Sequence, residues 1–311
     1  MNVAHENAVF PKDRVVTVSD GTPIAYTVIG AGEGVPILFI NGWTCSDAYW
    51  AGVGPALVAA GHRAVFVDTR GHGESGLPRP AGFLAHRLTA ADVSVERVAR
   101  DIIDVLDDAS LERAALAGHS MGVQALFEVY RQAPGRVAAL LPVAGTYENP
   151  VKTFADVSFL DPLYPIADVL FRFIPFEVLR PVMRRTSSPE LGHRVVRAIH
   201  VAGPKVTAEG LAPHMAQIGE LNFSVLWRMM SGLRSHSAAT VLPTIAVPTL
   251  VLAGKRDLFT PPSVQQRMAD LIPGAEIAWF EEGGHMLPLE EPAQIAARVA
   301  EFLSRRVPAA A

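Results

Sequence analysis

Short apolar runs, separated by longer segments of mixed polarity, occur along most of the chain. Runs of this length, bounded by turn-forming residues, are typical of strands buried on both faces of a sheet. Two shorter segments, Val15–Val18 and Ile24–Ile29, flank Asp20-Gly21-Thr22-Pro23 and predict a β-hairpin. The continuous apolar runs predict further strands at Val35–Ile40, Ala64–Val67, Ala114–Ala117, Val137–Val143, Val247–Ala253 and Ala275–Phe280.

Helical periodicity fills several of the intervals between these runs. A helix is predicted over Ala48–Ala60, with Ser46 or Asp47 as its N-cap, and the last helix begins near Pro292. Apolar residues at helical spacing predict two more helices, marked by Val95, Val98, Ile102 and Leu106 and by Leu126, Phe127 and Tyr130. Strands that alternate with helices predict an α/β fold, with a mostly parallel sheet covered by helices on both faces.

The alternation stops between residues 147 and 236, where prolines separate short helical patterns such as Ile166–Phe173 and Phe176–Met183. This segment is rich in large apolar side chains. Most of them are expected to fill the segment's own core, and some are expected to roof a ligand pocket. The predicted pocket residues are Phe171, Phe173 and Trp227.

The sequence Gly118-His119-Ser120-Met121-Gly122 lies between a predicted strand and a predicted helix. A G-x-S-x-G motif in this context indicates a nucleophile elbow, a tight turn that exposes the serine hydroxyl above the sheet. Glycine and serine are also common in ordinary turns, so the motif alone is a moderate signal. A nucleophilic serine also requires a general base and oxyanion donors.

Three further loops follow predicted strands at the same end of the sheet. Asn41-Gly42-Trp43 offers the Trp43 N–H as an oxyanion donor, paired with the N–H of Met121. Asp257 and His285 follow later strands and complete the order Ser…Asp…His that the elbow motif requires. His285 would be the general base for Ser120, and Asp257 would orient it, with Glu148 as the alternative acid.

On these motifs the chain resembles the α/β-hydrolase superfamily over most of its length. Further matching segments are Asp68–Ser75, Gly254–Asp257 and Glu290-Glu291-Pro292. The resemblance implies an eight-stranded sheet with a helical cap inserted after the sixth strand. The predicted core then covers residues 1–146 and 237–311, and the predicted cap covers 147–236.

The resemblance is strongest to cofactor-free serine esterases, with carbon–carbon (meta-cleavage type) hydrolases and haloperoxidase-like members nearby. It implies hydrolysis of an ester of a small to medium apolar substrate through an acyl-enzyme. A carbon–carbon hydrolase or an aminopeptidase could use the same residues. A ligand sensor that turns over slowly or not at all is the alternative of another class. The resemblance implies an aspartate nucleophile in haloalkane dehalogenases and epoxide hydrolases. Ser120 at this position therefore argues against both classes.

Charge and composition restrict the partners. The 311 residues carry a formal net charge of −4, so no basic field favours nucleic acid or an anionic membrane. No apolar stretch is long enough to span a bilayer and no secretory signal is visible, so we expect a cytoplasmic protein. Cys45, the single cysteine, is expected to be a small buried residue.

No cofactor or metal is expected, because His193 and His200 have no carboxylate or cysteine set at ligand spacing. Arg70 and His72 could bind an anionic substrate, although a structural role in their glycine-rich loop is favoured. The sequence does not indicate an oligomeric state.

Overall fold

An eight-stranded sheet organises the protein in the computed structural model, which describes residues 9–78, 88–153, 164, 168, 187–198 and 201–307. All the predicted strands are present, so the predicted α/β class is confirmed. In chain order the strands are β1 (Arg14–Thr17), β2 (Pro23–Ile29), β3 (Ile37–Ile40), β4 (Ala64–Val67), β5 (Ala114–His119), β6 (Val137–Val143), β7 (Leu250–Gly254) and β8 (Glu276–Phe280).

The strands lie in the order β1-β2-β4-β3-β5-β6-β7-β8. β1 pairs antiparallel with β2, and β2 pairs antiparallel with β4, whereas every later pairing is parallel. Every residue of β3, β4, β5, β6 and β7 is buried, which explains why their sequences are continuous apolar runs. Two hydrophobic clusters, one on each face, pack this sheet against the helices.

Helices connect the parallel strands and cover both faces of the sheet. None of them, in the described part of the chain, is long and apolar enough to cross a membrane. The α-helices are Gly54–Ala59, Val95–Asp108, Met121–Gln132, Pro150–Thr153, Pro189–Ala198, Ala208–Glu220, Phe223–Ser235, Pro262–Leu271, Leu287–Glu290 and Pro292–Arg306.

The single helix predicted over Ala48–Ala60 is wrong. The segment forms a 3-10 turn over Asp47–Trp50 and a separate short α-helix over Gly54–Ala59. Ser46 caps the first turn, as predicted, by accepting a hydrogen bond from the Ala48 N–H at 3.3 Å. Pro55, in the first turn of the second helix, starts a new element because proline has no N–H to continue the preceding one.

The predicted cap, residues 147–236, lies entirely between β6 and β7 in the chain. Its two ends meet, because the Ala238 N–H donates to the Tyr147 carbonyl at 2.8 Å, as an insertion at one point of a fold requires. The helical patterns Ile166–Phe173 and Phe176–Met183 fall outside the described residues, apart from Asp168. The division into core and cap stays a prediction.

Buried ion pairs hold the loop after β4. The Arg70 guanidinium is fully buried and binds both carboxylate oxygens of Asp101 at 2.6 Å, with Asp20 at 2.9 Å. Arg70 is therefore occupied within the protein, which supports its structural role. Nearby, Lys12 lies 3.5 Å from Asp68, whose carboxylate also accepts the Glu74 N–H at 2.9 Å.

We expect Asp68 to make stability depend on pH. Burial raises the pKa of Asp68 to about 6, although Lys12 opposes the rise. The unfolded chain loses this proton at lower pH than the folded chain, so the contribution of Asp68 to stability declines as pH rises from about 4 to 6. Asp68→Asn removes this dependence, and the difference in unfolding free energy, variant minus wild type, should rise by up to about 3 kcal/mol over that interval.

Urea unfolding of both proteins at acidic and neutral pH measures this difference. All other titrating groups are common to the two proteins, so their contributions cancel. A constant difference at the two pH values would show that Asp68 titrates like an exposed aspartate.

Candidate active site

Ser120 occupies a strained turn between β5 and the helix Met121–Gln132. Its backbone has φ 54° and ψ −113°, a conformation that L-residues rarely adopt. A Cβ on Gly118 would overlap the Gly122 carbonyl, and a Cβ on Gly122 would overlap the Ile40 carbonyl. The two glycines of the motif are therefore needed for close packing, and the predicted elbow geometry is present.

The imidazole of His285 lies between Ser120 and Asp257. Its Nε2 is 3.0 Å from the Ser120 Oγ, and its Nδ1 is 3.0 Å from the Asp257 Oδ2. In the neutral imidazole the carboxylate favours the tautomer with the proton on Nδ1, which donates to Asp257 and leaves the lone pair on Nε2. Nε2 then faces the serine hydroxyl as a proton acceptor.

The Asp257 carboxylate is completely buried, yet its oxygens are well satisfied. The N–H groups of Phe259 and Thr260 donate to Oδ1 at 2.8 and 2.9 Å, and the Thr260 hydroxyl donates to Oδ2 at 2.6 Å. These bonds replace the hydrogen bonds to water that the carboxylate loses on burial. They also fix the carboxylate in one orientation. The Phe259 ring also stacks on His285, with centroids 5.0 Å apart.

The loop after β3 packs directly against the serine. A Cβ on Gly42 would lie 2.8 Å from the Cys45 Sγ and 3.2 Å from the Ser120 Cβ, so a larger residue there would have to displace its neighbours. The Trp43 carbonyl accepts a 2.7 Å hydrogen bond from His72 Nε2, and the Trp43 indole donates to the Leu226 carbonyl at 2.8 Å. Trp43 is thus fixed from two sides. The roles of the Trp43 and Met121 N–H groups as oxyanion donors stay predictions.

Sequence reasoning did not find the contribution of His119, the second residue of the motif. His119 Nε2–H donates to the His285 carbonyl at 2.8 Å, and the Tyr49 ring stacks on the His119 imidazole. Burial, with His285 nearby, lowers the pKa of His119 to about 3, so the imidazole is neutral. The only signal in the sequence was its position beside the nucleophile.

Cys45 lies on the other side of His119, with its Sγ 3.8 Å from Nδ1. Burial raises the pKa of the Cys45 thiol to about 12, which keeps it protonated at neutral pH. Because the thiolate is the reactive form, this cysteine is a buried packing residue, as expected.

Of the predicted pocket residues, only Trp227 lies within the described part of the chain. Phe171 and Phe173 lie outside the described residues. The Trp227 ring stacks on Tyr164, with centroids 4.7 Å apart, and its indole donates to Asp168 at 2.7 Å. Trp227 therefore contacts other residues of the 147–236 segment, and a pocket role for it stays a prediction.

No three His, Cys, Asp or Glu side chains come together as a possible metal site within the residues that the structure describes. His193 is hydrogen-bonded to the Val206 carbonyl at 2.9 Å, and His200 lies outside those residues.

Comparisons with known proteins identify the family and the fold. A sequence profile of the Alpha/beta hydrolase family matches residues 37–298. A protein of Variovorax paradoxus with the provisional name carbamate hydrolase RutD is 27% identical over 288 residues, which cover 91% of this chain and 97% of that protein. Epoxide hydrolase A of Mycobacterium tuberculosis is 27% identical, over 94% of this chain and 98% of its own length.

Among solved structures, the esterase EaEST from Exiguobacterium antarcticum superposes with a TM-score of 0.70 at 22% identity, over 93% of this chain and 98% of its own. The enol-lactonase from Burkholderia xenovorans LB400 has a TM-score of 0.65 at 20% identity, over 94% and 100%. At these identities the superpositions show the fold alone, in agreement with the strand order described above.

Asp257→Asn should lower kcat by about 10³–10⁴ on any substrate that the protein hydrolyses, because an amide at this position can hold His285 in the wrong tautomer. Steady-state kinetics of the purified variant measure the loss. Glu148→Gln is the matched control, since His285 Nδ1 pairs with Asp257. A silent Asp257→Asn together with an inactive Glu148→Gln would transfer the acid role to Glu148.

Proposed function

The chain belongs to the Alpha/beta hydrolase family, and we propose that it is a cofactor-free serine hydrolase that cleaves an ester or a related acyl bond through an acyl-enzyme. One observation carries the proposal: Ser120 Oγ, His285 and Asp257 form a continuous chain of hydrogen bonds, each 3.0 Å long, at a strained serine. The substrate is a small to medium molecule with an apolar acyl or alcohol group. We expect the protein to act in the cytoplasm.

In the first half of the reaction, Ser120 Oγ attacks the acyl carbon while His285 Nε2 accepts the hydroxyl proton. The carbonyl oxygen becomes an oxyanion, which the N–H groups of Trp43 and Met121 stabilise. Removal of one such donor typically lowers turnover about 10²–10³-fold. His285 then gives its proton to the leaving oxygen, the ester C–O bond breaks, and the acyl group remains on Ser120.

In the second half, a water molecule takes the place of the leaving alcohol. His285 Nε2 accepts a proton from the water as its oxygen attacks the acyl carbon. The tetrahedral intermediate collapses, Ser120 recovers its proton from His285, and the carboxylic acid leaves. Asp257 stabilises the charged imidazolium in both halves and keeps its negative charge throughout.

The serine nucleophile distinguishes the proposed acyl chemistry from the epoxide hydrolysis that the name of one relative states. Epoxide hydrolase A is similar to this chain along its length, but a serine at the elbow suits attack on an acyl carbon through base catalysis. The names of other relatives and neighbours, a carbamate hydrolase, an esterase and an enol-lactonase, all refer to substrates with acyl carbons. Carbamates and lactones therefore belong in the substrate screen with simple esters.

Ser120→Ala should remove turnover without unfolding the protein, because loss of a comparable nucleophile costs about 10⁶ in kcat. The wild type should react with an organophosphonate at Ser120 alone, and mass spectrometry of the labelled peptide measures this. A screen over graded esters, carbamates, lactones and aryl diketones identifies the bond type. Retained activity in Ser120→Ala, or labelling at another residue, would contradict the covalent mechanism.

The same screen distinguishes an enzyme from a ligand sensor. Fast multiple turnover on a simple ester supports the enzyme, whereas stoichiometric or very slow release of product supports the sensor.

Trp227→Ala should shift the preferred acyl chain length while the stoichiometry of phosphonate labelling stays the same. One methylene in an apolar pocket changes kcat/KM by about 10- to 200-fold, so the shift should be visible across a short ester series. Trp279→Ala is the matched control, because that indole lies on β8 and contacts Lys255. A length profile of Trp227→Ala identical to the wild type would show that this ring only packs within the 147–236 segment.

A further inference from the structure

Glu290 is a buried carboxylate that takes no part in the proposed chemistry. It lies at the end of the one-turn helix Leu287–Glu290, directly after the loop that carries His285, and is only 5% exposed. Its Oε2 accepts the Gly284 N–H at 2.6 Å, and its Oε1 accepts the Gly203 N–H at 2.9 Å. One carboxylate therefore joins the histidine loop to a residue of the 147–236 segment.

The backbone of His285 itself is held by the 147–236 segment and by the end of β5. Its N–H donates to the Val201 carbonyl at 3.0 Å, and its carbonyl accepts from His119 at 2.8 Å. The position of the His285 backbone thus depends on residues 201–203 on one side and on the elbow strand on the other.

The contact between the two segments leaves no space for a side chain. A Cβ on Gly284 would lie 2.9 Å from the Gly203 nitrogen, and a Cβ on Gly203 would overlap the Glu290 carboxylate. Burial raises the pKa of Glu290, whereas the Gly284 and Gly203 N–H bonds oppose that rise. A buried carboxylate without such donors would be strongly destabilised, so the charge favours the one arrangement in which both amides point at it.

We propose that Glu290 is a positioning residue: it holds the His285 loop in register with residues 201–203, so that His285 Nε2 remains within reach of Ser120. The inference rests on the proposed function, since it assigns His285 the role of general base. A shift of about 1 Å in a catalytic group can lower turnover about 10²-fold, so a loosened loop should affect the rate more than binding.

The neighbouring Glu291 provides a matched control. It is also buried, at 7% exposed, and its Oε1 pairs with Lys205 of the same segment at 2.5 Å. Its Oε2 accepts from Gln294 at 2.6 Å. Glu291 thus ties the same segment to the same turn of chain, but its bonds do not reach Gly284 or His285.

The experiment compares Glu290→Gln and Glu291→Gln with the wild type in kcat and KM for p-nitrophenyl butyrate, in the rate of phosphonate labelling, and in Tm. Glutamine is isosteric, but its NH₂ group cannot accept one of the two backbone N–H bonds. Glu290→Gln should lower kcat about 10- to 100-fold with KM within about threefold of wild type, and the labelling rate should fall in parallel. Glu291→Gln should keep kcat within about threefold of wild type, even if its Tm falls as much as that of Glu290→Gln.

Gly203→Ala tests the same contact from the other segment, and it decides the question if Glu290→Gln does not fold. The added Cβ displaces the carboxylate without changing its charge, so the same selective loss of kcat is expected. The inference is overturned if kcat stays within about threefold of wild type in the folded variants, if only KM rises, or if the Glu291 control loses as much kcat. If the wild type neither hydrolyses the ester nor is labelled at Ser120, the proposed function fails instead.

Discussion

The close approach of three backbone segments at Ser120 is the constraint on which the site depends. The strained serine exists because Gly118 and Gly122 let the turn pack on itself and against β3. The same approach places Gly42 beside the Ser120 Cβ, which brings the proposed oxyanion loop to the nucleophile. A side chain at Gly118 or Gly122 would overlap a neighbouring backbone carbonyl and separate the serine from its surroundings, so the geometry depends on close packing.

A second constraint is that the groups supporting the site are polar and buried. His72, His119 and Glu290 are each at most 5% exposed, and each bonds to a backbone atom of a site loop. Burial lowers the pKa of both imidazoles, which therefore act as neutral donors to carbonyls. Because an unpaired buried polar group is costly, these side chains stabilise the loops only while the loops keep their positions. Loop geometry and local stability are thereby coupled.

Most of the fold was predictable from sequence because strands buried on both faces must be continuous apolar runs. Ser120, Asp257 and His285 were predictable because the elbow motif fixes their order and each follows such a strand. The interruption of the helix after Trp50 was not predicted, because apolar periodicity alone does not show that a new helix begins at Gly54, with Pro55 in its first turn. His119 and Glu290 could not be assigned roles in advance, because they act on backbone atoms of residues far away in sequence. The residue types of His119 and Glu290, and their positions in the sequence, do not indicate those partners.

Three of the contacts between the site loops and the described part of the 147–236 segment are made by backbone groups of that segment. These are the Val201 carbonyl, the Gly203 N–H and the Leu226 carbonyl, whereas Thr153 and Gln217 reach the Phe259 and Cys45 carbonyls through their side chains. Backbone groups are present whatever side chain a position carries, provided that the local conformation is kept and Gly203 stays small. Side chains elsewhere in the segment can therefore vary with substrate while His285 and Trp43 keep the same supports. This arrangement gives a physical reason why one set of catalytic positions can serve many acyl substrates on a single fold.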